Sequence, residues 1–314
     1  MDIVNIVERV KDFLEANAWQ LLAYNDLGTT AHVFVVARAG QKRVLKTRRR
    51  AVSLVERQSV TAACPLRAEY ELLRYLNKTD MARYVPDVGA WVHEIHGFMM
   101  AHLRYPTPEE REQPAFIHAL ALALRTLHSV DLAPLEGIDD DRPFIGVAIS
   151  GRLRDAFEAV TRDNSFWAGL GPQDRAGLEL VRSRYEIYVE LLPSLEAALK
   201  GVPGALTHGD LAGDNIMVRQ DGSLALTDWG AARISAGLTD VARLLVYAGW
   251  EKDSASRFLR AYFDSRDVPP VVETLRRVYR YNSCVWSLRA LNDHGDEGLD
   301  AVGRAHFERQ LETL

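Results

Sequence analysis

The stretch of sequence that decides the fold reads Leu206-Thr207-His208-Gly209-Asp210-Leu211-Ala212-Gly213-Asp214-Asn215-Ile216-Met217-Val218. After an Asp-Gly turn at 221–222 the chain continues as Leu224-Ala225-Leu226-Thr227-Asp228-Trp229-Gly230. Apolar segments joined by an Asp-Gly turn predict a β-hairpin. Because a hairpin returns the chain beside its own start, Asp210, Asn215 and Asp228 are expected to converge.

These three side chains have the chemistry that phosphoryl transfer requires. One aspartate orients the attacking hydroxyl, while metal ions neutralise charge on the phosphates. A carboxylate and an amide oxygen are hard ligands, and they suit Mg²⁺, which takes few protein ligands and keeps several waters. Asp210 is therefore the predicted base, and Asn215 and Asp228 are the predicted metal ligands. The alternative is an Asp-rich surface hairpin whose side chains only cap turns.

Composition limits what the rest of the chain can be. The 314 residues include 47% hydrophobic ones and have a formal net charge of −5, which favours a folded protein and disfavours a nucleic-acid binder. The two cysteines, Cys64 and Cys284, cannot form a disulfide framework and favour a reducing compartment. The charged amino terminus does not resemble a signal peptide, and no apolar run is long enough to cross a bilayer. We expect a cytoplasmic protein with no membrane or nucleic-acid partner.

The chain divides into a mixed region and a helical one. Residues 3–14 predict an amphipathic helix and 66–76 a second helix, with strands at 19–24, 33–37, 43–46, 88–93 and 97–101. After residue 108 apolar residues recur mostly at helical spacing, with helices predicted at 116–128, 147–162, 173–199, 239–248, 254–264, 270–292 and 300–312.

The hairpin segment resembles the aminoglycoside phosphotransferase and choline kinase family, small-molecule relatives of the protein kinases. The resemblance extends over about residues 20–250. It implies a bilobal, protein-kinase-like α+β fold with a small β-rich lobe and a larger helical one. Residues 1–103 would form the nucleotide-binding lobe, with a hinge near 100–103. Residues 104–314 would form the catalytic and acceptor-binding lobe.

The same resemblance assigns the nucleotide site. Lys46 matches the strand lysine that pairs with the nucleotide phosphates, and Glu69 matches the helix glutamate that holds this lysine, with Glu71 as the alternative. The predicted purine-binding hinge includes Met100, Ala101 and Leu103. The turn at Gly28, Thr29 and Thr30 would cover the phosphates, although it has a single glycine in place of a glycine-rich motif.

Two further residues are expected to be structural. His208 would be redundant as a base beside Asp210, so we expect it to brace the loop. Asp240 matches the aspartate that opens the helix after the metal site, and we expect it to brace the catalytic loop and cap that helix. Gly209 replaces the arginine of protein kinases, and the segment from Gly230 to the next predicted helix is short, so protein substrates are not expected.

Charged runs and aromatic side chains are the features that bear on the acceptor. Acidic runs at 136–141 and 293–300 would suit a polycation, but such runs are equally typical of solvated loops, as is the basic run Arg48-Arg49-Arg50. The acceptor-binding candidates are Trp250, Glu251, Asp253 and Trp286. We expect an enzyme, a monomer or homodimer, that uses Mg²⁺ and ATP or GTP to phosphorylate a hydroxyl of an antibiotic. A metabolic kinase for choline, a sugar or an amino alcohol, and a nucleotide-binding pseudokinase scaffold, are the alternatives.

Overall fold

A computed structural model describes residues 3–25, 31–48, 65–135, 138–299 and 301–314. The chain forms two compact units. The first contains Met1–Asp140 and Ala205–Ile234, and the second contains Asp141–Gly204 and Ser235–Leu314. The predicted lobes, 1–103 and 104–314, are defined by what they bind: the nucleotide and the acceptor. The two units are defined by packing alone. The division into a nucleotide-binding lobe and an acceptor-binding lobe therefore stays a prediction. Within the described part of the chain, no helix combines the length and apolar character that crossing a membrane requires.

The first unit is built on an antiparallel sheet. It begins with helix α1 (Ile3–Ala16), and the strands are β1 (Gln20–Asn25), β2 (Ala31–Arg38), β3 (Gln41–Arg48), β4 (Val88–Val92) and β5 (Gly97–Ala101). Their spatial order is β1-β2-β3-β5-β4. Helix α2 (Pro65–Leu76) connects β3 with the 3₁₀ turn Asp80–Arg83 that precedes β4. All five strands lie where the alternation of apolar residues predicts them.

Strand β3 faces two environments. Leu45 is fully buried and packs with Val10, Leu14 and Phe34 in the core beneath α1. Side chains alternate along a strand, so Lys46 points to the opposite face from Leu45. Lys46 is also buried, and its backbone pairs with Val33 on one side and Phe98 on the other. A central strand therefore holds this lysine rigidly.

The remainder of the first unit carries the hairpin. It contains α3 (Pro108–Glu112), α4 (Pro114–Leu127), β7 (Ile216–Val218) and β8 (Leu224–Leu226), together with all but the first residue of β6 (Gly204–Thr207) and the first two residues of β9 (Arg233–Ala236). Strands β7 and β8 form the predicted hairpin, with Ile216 opposite Leu226. Backbone hydrogen bonds attach it to Arg104, whose N–H donates to Val218 O (2.9 Å), and to Tyr84, whose carbonyl accepts from Leu226 N–H (2.7 Å).

The second unit is helical. Its helices are α5 (Ile145–Phe157), α6 (Pro172–Ser183), α7 (Tyr185–Leu199), α8 (Leu238–Tyr247), α9 (Lys252–Phe263), α10 (Val271–His294) and α11 (Ala301–Leu311). Their apolar faces form one core that includes Phe157, Trp167 and Tyr281. The single helix predicted over 173–199 is wrong in one respect. The helix ends at Ser183 and restarts at Tyr185; just before this break, the Arg182 side chain donates to the carbonyls of Val160 and Arg162.

Candidate active site

Lys46 binds two carboxylates that come from distant parts of the chain. Its ammonium nitrogen lies 2.9 Å from both carboxylate oxygens of Glu69 and 2.8 Å from Asp228 Oδ1. Lys46 and Glu69 are buried, whereas the Asp228 side chain is about half exposed. The structure thus joins strand β3, helix α2 and the end of the hairpin through one cation. Burial of both Lys46 and Glu69 excludes water that would otherwise compete for these contacts.

The register of α2 selects Glu69 over the alternative, Glu71. Glu71 is exposed and forms ion pairs along its own helix with Arg67 and, at 3.3 Å, with Arg74. Residues two apart on a helix point in different directions, so only one of the two glutamates can reach Lys46. The predicted contact between Lys46 and Glu69 is therefore present, and Glu71 belongs to the solvent-facing side.

The ion pairs shift the proton affinities of their members. Burial alone would lower the pKa of Lys46, but the carboxylates of Glu69 and Asp228 outweigh it and raise this pKa above its ordinary value. Burial would raise the pKa of Asp228, but the Lys46 ammonium outweighs burial and lowers it. At neutral pH the lysine is therefore charged, and Asp228 is a carboxylate able to accept hydrogen bonds or bind a cation.

Asp228 has an unusual backbone conformation. Its φ of 60° and ψ of 68° lie in the left-handed region, which non-glycine residues seldom adopt. The following residue is anchored on both sides: Trp229 N–H donates to Glu69 Oε1 (3.3 Å), and its buried indole Nε1–H donates to Leu226 O (3.0 Å). These contacts hold a strained residue in place, and such strain is most often found at functional sites.

The loop before the hairpin is equally constrained. Gly209 has a φ of +77°, and a Cβ built on it would lie 2.1 Å from the carbonyl oxygen of Ala231, so no other residue fits. Buried His208 places Nε2 2.8 Å from Thr227 O and packs its ring 4.5 Å from that of Trp229. Its Nδ1 accepts the N–H of Asp210 at 3.4 Å. This arrangement makes Nε2 the protonated nitrogen, and the expected role of His208 as a brace of the loop stays a prediction.

Asp210 and Asn215 are connected directly. Asn215 donates its amide N–H to the Asp210 carbonyl at 2.7 Å, and the same nitrogen lies 3.4 Å from Asp210 Oδ2. Asn215 also accepts the backbone N–H of Thr227 at 2.9 Å, which places it opposite the residue that precedes Asp228. The hairpin therefore brings the three predicted residues to one end, as its geometry requires.

The donor set agrees with a magnesium site. The amide nitrogen of Asn215 is occupied by Asp210, so its amide oxygen is the atom that remains to face a cation. Together with the Asp228 carboxylate this supplies two hard oxygen ligands, the number that Mg²⁺ commonly takes from a protein. Within the described ranges there is no cluster of three or more His, Cys, Asp or Glu residues that could hold a metal. A site rich in nitrogen or sulfur ligands is thus not found among these residues.

Part of the backbone of the predicted hinge is already hydrogen-bonded within the first unit. The Ala101 N–H donates to Asp87 O at 2.8 Å, and Met100 pairs with Val44. The Ala101 N–H is therefore not available to a purine. Leu103 lies two residues after the end of β5 and is buried. The phosphate-covering turn Gly28, Thr29 and Thr30 lies outside the described residues, as do Arg49 and Arg50.

Asp240 is the predicted structural residue of the second unit. Asp240 is buried in the first turn of α8, but the helix begins at Leu238 with Gly237 as its N-cap residue, so the prediction that Asp240 caps the helix is wrong. Its carboxylate still lies where the helix dipole favours negative charge. Its expected brace of the catalytic loop stays a prediction.

Three of the four acceptor-binding candidates lie at the start of α9, and the fourth lies in α10. Glu251 is the N-cap residue of α9, and Asp253 lies in its first turn. The Trp250 ring packs 5.3 Å from that of Phe258, whereas Trp286 is 52% exposed on α10, with the Arg289 guanidinium 4.7 Å from its ring. The Trp250 ring thus packs partly against the interior of the second unit, and the Trp286 ring lies on its surface. Their role toward an acceptor stays a prediction.

Arg219 is a positioning residue that the sequence did not reveal. Its guanidinium donates to the carbonyls of Arg83 (2.8 Å), Val85 (2.6 Å) and Leu224 (2.6 Å). It thereby fixes the turn of the hairpin to the segment that follows α2. No local signal distinguishes this arginine, because two of the three carbonyls that it binds, those of Arg83 and Val85, are more than a hundred residues away in the sequence.

The family model described as "Phosphotransferase enzyme family" matches residues 28–279. The chain belongs to this family. Membership confirms the resemblance seen in the sequence and the predicted class of activity, phosphotransfer to an alcohol group. The family match covers Lys46, Glu69 and the whole hairpin, so these residues of the phosphotransferase lie inside the matched region.

Solved structures confirm the kinase-like α+β fold of the phosphotransferase. A choline/ethanolamine kinase family protein from Mesorhizobium loti is 16% identical, with 98% of this chain and 93% of that chain covered and a TM-score of 0.63. Macrolide 2'-phosphotransferase MphH from Brachybacterium faecium is 18% identical, with 98% and 97% covered and a TM-score of 0.60. ADP-bound aminoglycoside phosphotransferase APH(2'')-Ib is 16% identical, with 98% and 97% covered and a TM-score of 0.59. No curated protein matches the chain.

Proposed function

We propose that this phosphotransferase transfers the γ-phosphoryl group of ATP to a hydroxyl of an antibiotic. The observation that carries the proposal is the contact of Lys46 with both Glu69 and Asp228, beside a loop in which Asn215 holds Asp210. A pseudokinase scaffold would have no need for this complete set. ATP is preferred as the donor because similar structures include an ADP-bound phosphotransferase and a streptomycin–ATP complex. GTP has no comparable support.

Each residue then has one task. Asp210 orients the acceptor hydroxyl and accepts its proton, while Lys46, held by Glu69, contacts the nucleotide phosphates. Asp228 and Asn215 would hold Mg²⁺, which when bound neutralises charge on those phosphates. Lys46 must then exchange its contact with Asp228 for one with phosphate. Little covalent chemistry falls to the protein, so positioning and electrostatics supply most of the acceleration.

The proposal that the acceptor is an antibiotic is supported by the kinds of enzyme found among the similar solved structures. These include aminoglycoside and macrolide phosphotransferases, which act on antibiotics, as well as choline and ethanolamine kinases. A screen of nucleotide consumption against antibiotics and metabolite alcohols, with ATP and GTP in parallel, separates the two classes. Turnover with choline or ethanolamine alone would overturn the antibiotic proposal. Asp228→Ala, which removes a proposed metal ligand, is the control for contaminating kinases.

The two glutamates of α2 provide a matched test of the nucleotide site. We expect Glu69→Ala to lower kcat/KM for ATP by more than about tenfold, because it removes charge-assisted contacts to buried Lys46. Glu71→Ala removes only exposed ion pairs and should change kcat/KM by less than about twofold. Steady-state kinetics at several ATP concentrations measures both. The reverse order would show that α2 has a different register in solution.

A polycationic acceptor predicts a dependence on salt. Attraction between partly exposed charges is screened over about 8–10 Å at moderate ionic strength, so KM for the acceptor should rise several-fold from low to moderate salt while KM for ATP changes less. Glu251→Gln and Asp253→Asn should each raise acceptor KM. Asp155→Asn, which removes an exposed carboxylate from α5, is the matched control. An acceptor KM insensitive to salt and to both substitutions would favour a neutral antibiotic held by an aromatic ring such as Trp286.

A further inference from the structure

The catalytic loop has no cation of its own. Residues 208–215 contain aspartates but neither lysine nor arginine. The ammonium group of Lys46 is already bound by two carboxylates, those of Glu69 and Asp228. Phosphoryl transfer spreads negative charge over the oxygens of the transferred group, and kinases and related enzymes place cations against it. Besides Lys46 and the proposed Mg²⁺, any further positive charge at this site has to come from outside the loop.

Arg111 of α3 lies beside this loop, at Gly213. A Cβ built on Gly213 would lie 3.0 Å from its Nη1 and 3.7 Å from its Cζ, so the guanidinium fills the space beside the loop where a side chain at 213 would begin. Gly213 lies between Asp210 and Asn215, the proposed base and metal ligand. The Arg111 side chain is only partly exposed, which places its charge against the loop rather than in bulk water.

Other residues of the first unit hold Arg111 in this place. Helix α3 begins with a capping box, in which Thr107 Oγ1 accepts from Glu110 N–H and the Glu110 carboxylate accepts from Thr107 N–H. Glu110 also binds both Nη atoms of Arg104 at 2.7 Å. The Arg104 backbone pairs with Val218 of the hairpin, so α3 and the catalytic loop are attached to the same strand.

The Arg111 guanidinium forms no ion pair with the described part of the chain. Its neighbour Glu110 is engaged by Arg104, and among the residues that the structure describes no carboxylate pairs with the Arg111 guanidinium. Arg233, which follows the metal segment, donates instead to the carbonyl of Ala231 at 3.3 Å. A partly buried arginine without a counter-ion beside a catalytic loop is available to an anionic ligand, and its planar fork matches phosphoryl oxygens.

We propose that Arg111 is a catalytic residue that binds the transferred phosphoryl group, an assignment that rests on the proposed function. In the transfer, the acceptor oxygen forms a bond to the γ-phosphorus while the bond from that phosphorus to the β–γ bridging oxygen breaks. ADP departs with the electron pair, and the hydroxyl proton moves to the Asp210 carboxylate. Arg111 stabilises the oxygens of the group in transit and takes no proton.

Nucleotide binding tests the assignment without knowledge of the acceptor. The affinities of ADP–Mg²⁺ and of ADP–Mg²⁺ with aluminium fluoride, which imitates the transferred group, are measured by calorimetry. Arg111→Gln should leave ADP affinity within about twofold and weaken the aluminium fluoride complex by about 10- to 100-fold, the loss expected for charge-assisted hydrogen bonds. Arg111→Lys should restore part of that affinity. Arg154→Gln, which removes an exposed arginine from α5, is the control for net charge and should change neither value.

A second variant leaves the charge in place. Gly213→Ala introduces a Cβ that the end of the Arg111 side chain can avoid by moving a few tenths of an ångström, so a smaller, selective weakening of the aluminium fluoride complex is expected. If Arg111→Gln binds both complexes as the wild type does, the assignment of Arg111 is wrong and the proposed function stands. If the wild type binds neither ADP nor its aluminium fluoride complex, the proposed function fails and the assignment fails with it. Equal melting temperatures of wild type and variants exclude a structural cause.

Discussion

Asp210→Asn should lower kcat by about 10²- to 10⁴-fold, the range that a positioned general base contributes. Asparagine retains the shape of the aspartate side chain, and the backbone carbonyl of residue 210 can still accept the hydrogen bond from the Asn215 amide. The asparagine amide cannot accept the hydroxyl proton. Asp210 acts on the acceptor rather than on the phosphates, so the affinity for ATP should remain nearly unchanged. Steady-state kinetics gives kcat, and equilibrium titration gives the nucleotide affinity.

Asp214→Asn is the matched control for this experiment. Asp214 belongs to the same loop, is exposed and carries the same charge, so its neutralisation should leave kcat within about twofold. A kcat for Asp210→Asn close to that of the wild type would show that another group accepts the proton. A joint loss of kcat and ATP affinity would instead place Asp210 against the phosphates or their metal.

Lys46→Met should be the most destabilising of the substitutions considered. It leaves the buried Glu69 carboxylate without its cation, and breaking a buried ion pair in this way costs about 3–5 kcal/mol of the free energy of unfolding. Replacement of both partners, in Lys46→Met with Glu69→Leu, removes the unpaired charge and should recover much of the loss. Denaturant unfolding of the four proteins of this cycle measures the coupling. Purely additive losses would show that the pair contributes nothing to stability.

The same ion pairs predict how stability depends on pH. The pKa of Asp228 is lowered in the folded state, so its contribution is present above the ordinary aspartate pKa and is lost as the pH falls through the lowered value. The pKa of Lys46 is raised, so its contribution is present below the ordinary lysine pKa and is lost as the pH rises through the raised value. The wild type should therefore lose this stabilisation only at the two extremes, and Lys46→Met should lack both dependences.

Much of the site was predictable because it is local in sequence. The alternation of apolar residues and the Asp-Gly turn predict the hairpin, and a hairpin leaves no choice about which residues meet at its open end. Asp210, Asn215 and Asp228 could thus be placed together without a structure. The five strands of the large sheet were predicted for the same reason, since each depends on a few neighbouring residues.

The sequence by itself determined the class of chemistry and the hairpin that carries it, but only the tertiary structure decided which charges meet. Lys46 is separated by 23 residues from Glu69 and by 182 from Asp228, and their contact depends on how a helix packs on a sheet. The preference for Glu69 over Glu71 follows from the face that α2 buries. The position of Arg111 beside Gly213 follows from the attachment of α3 to the hairpin through Arg104. Such contacts are set by long-range packing of buried groups, which leaves no periodic trace in the sequence.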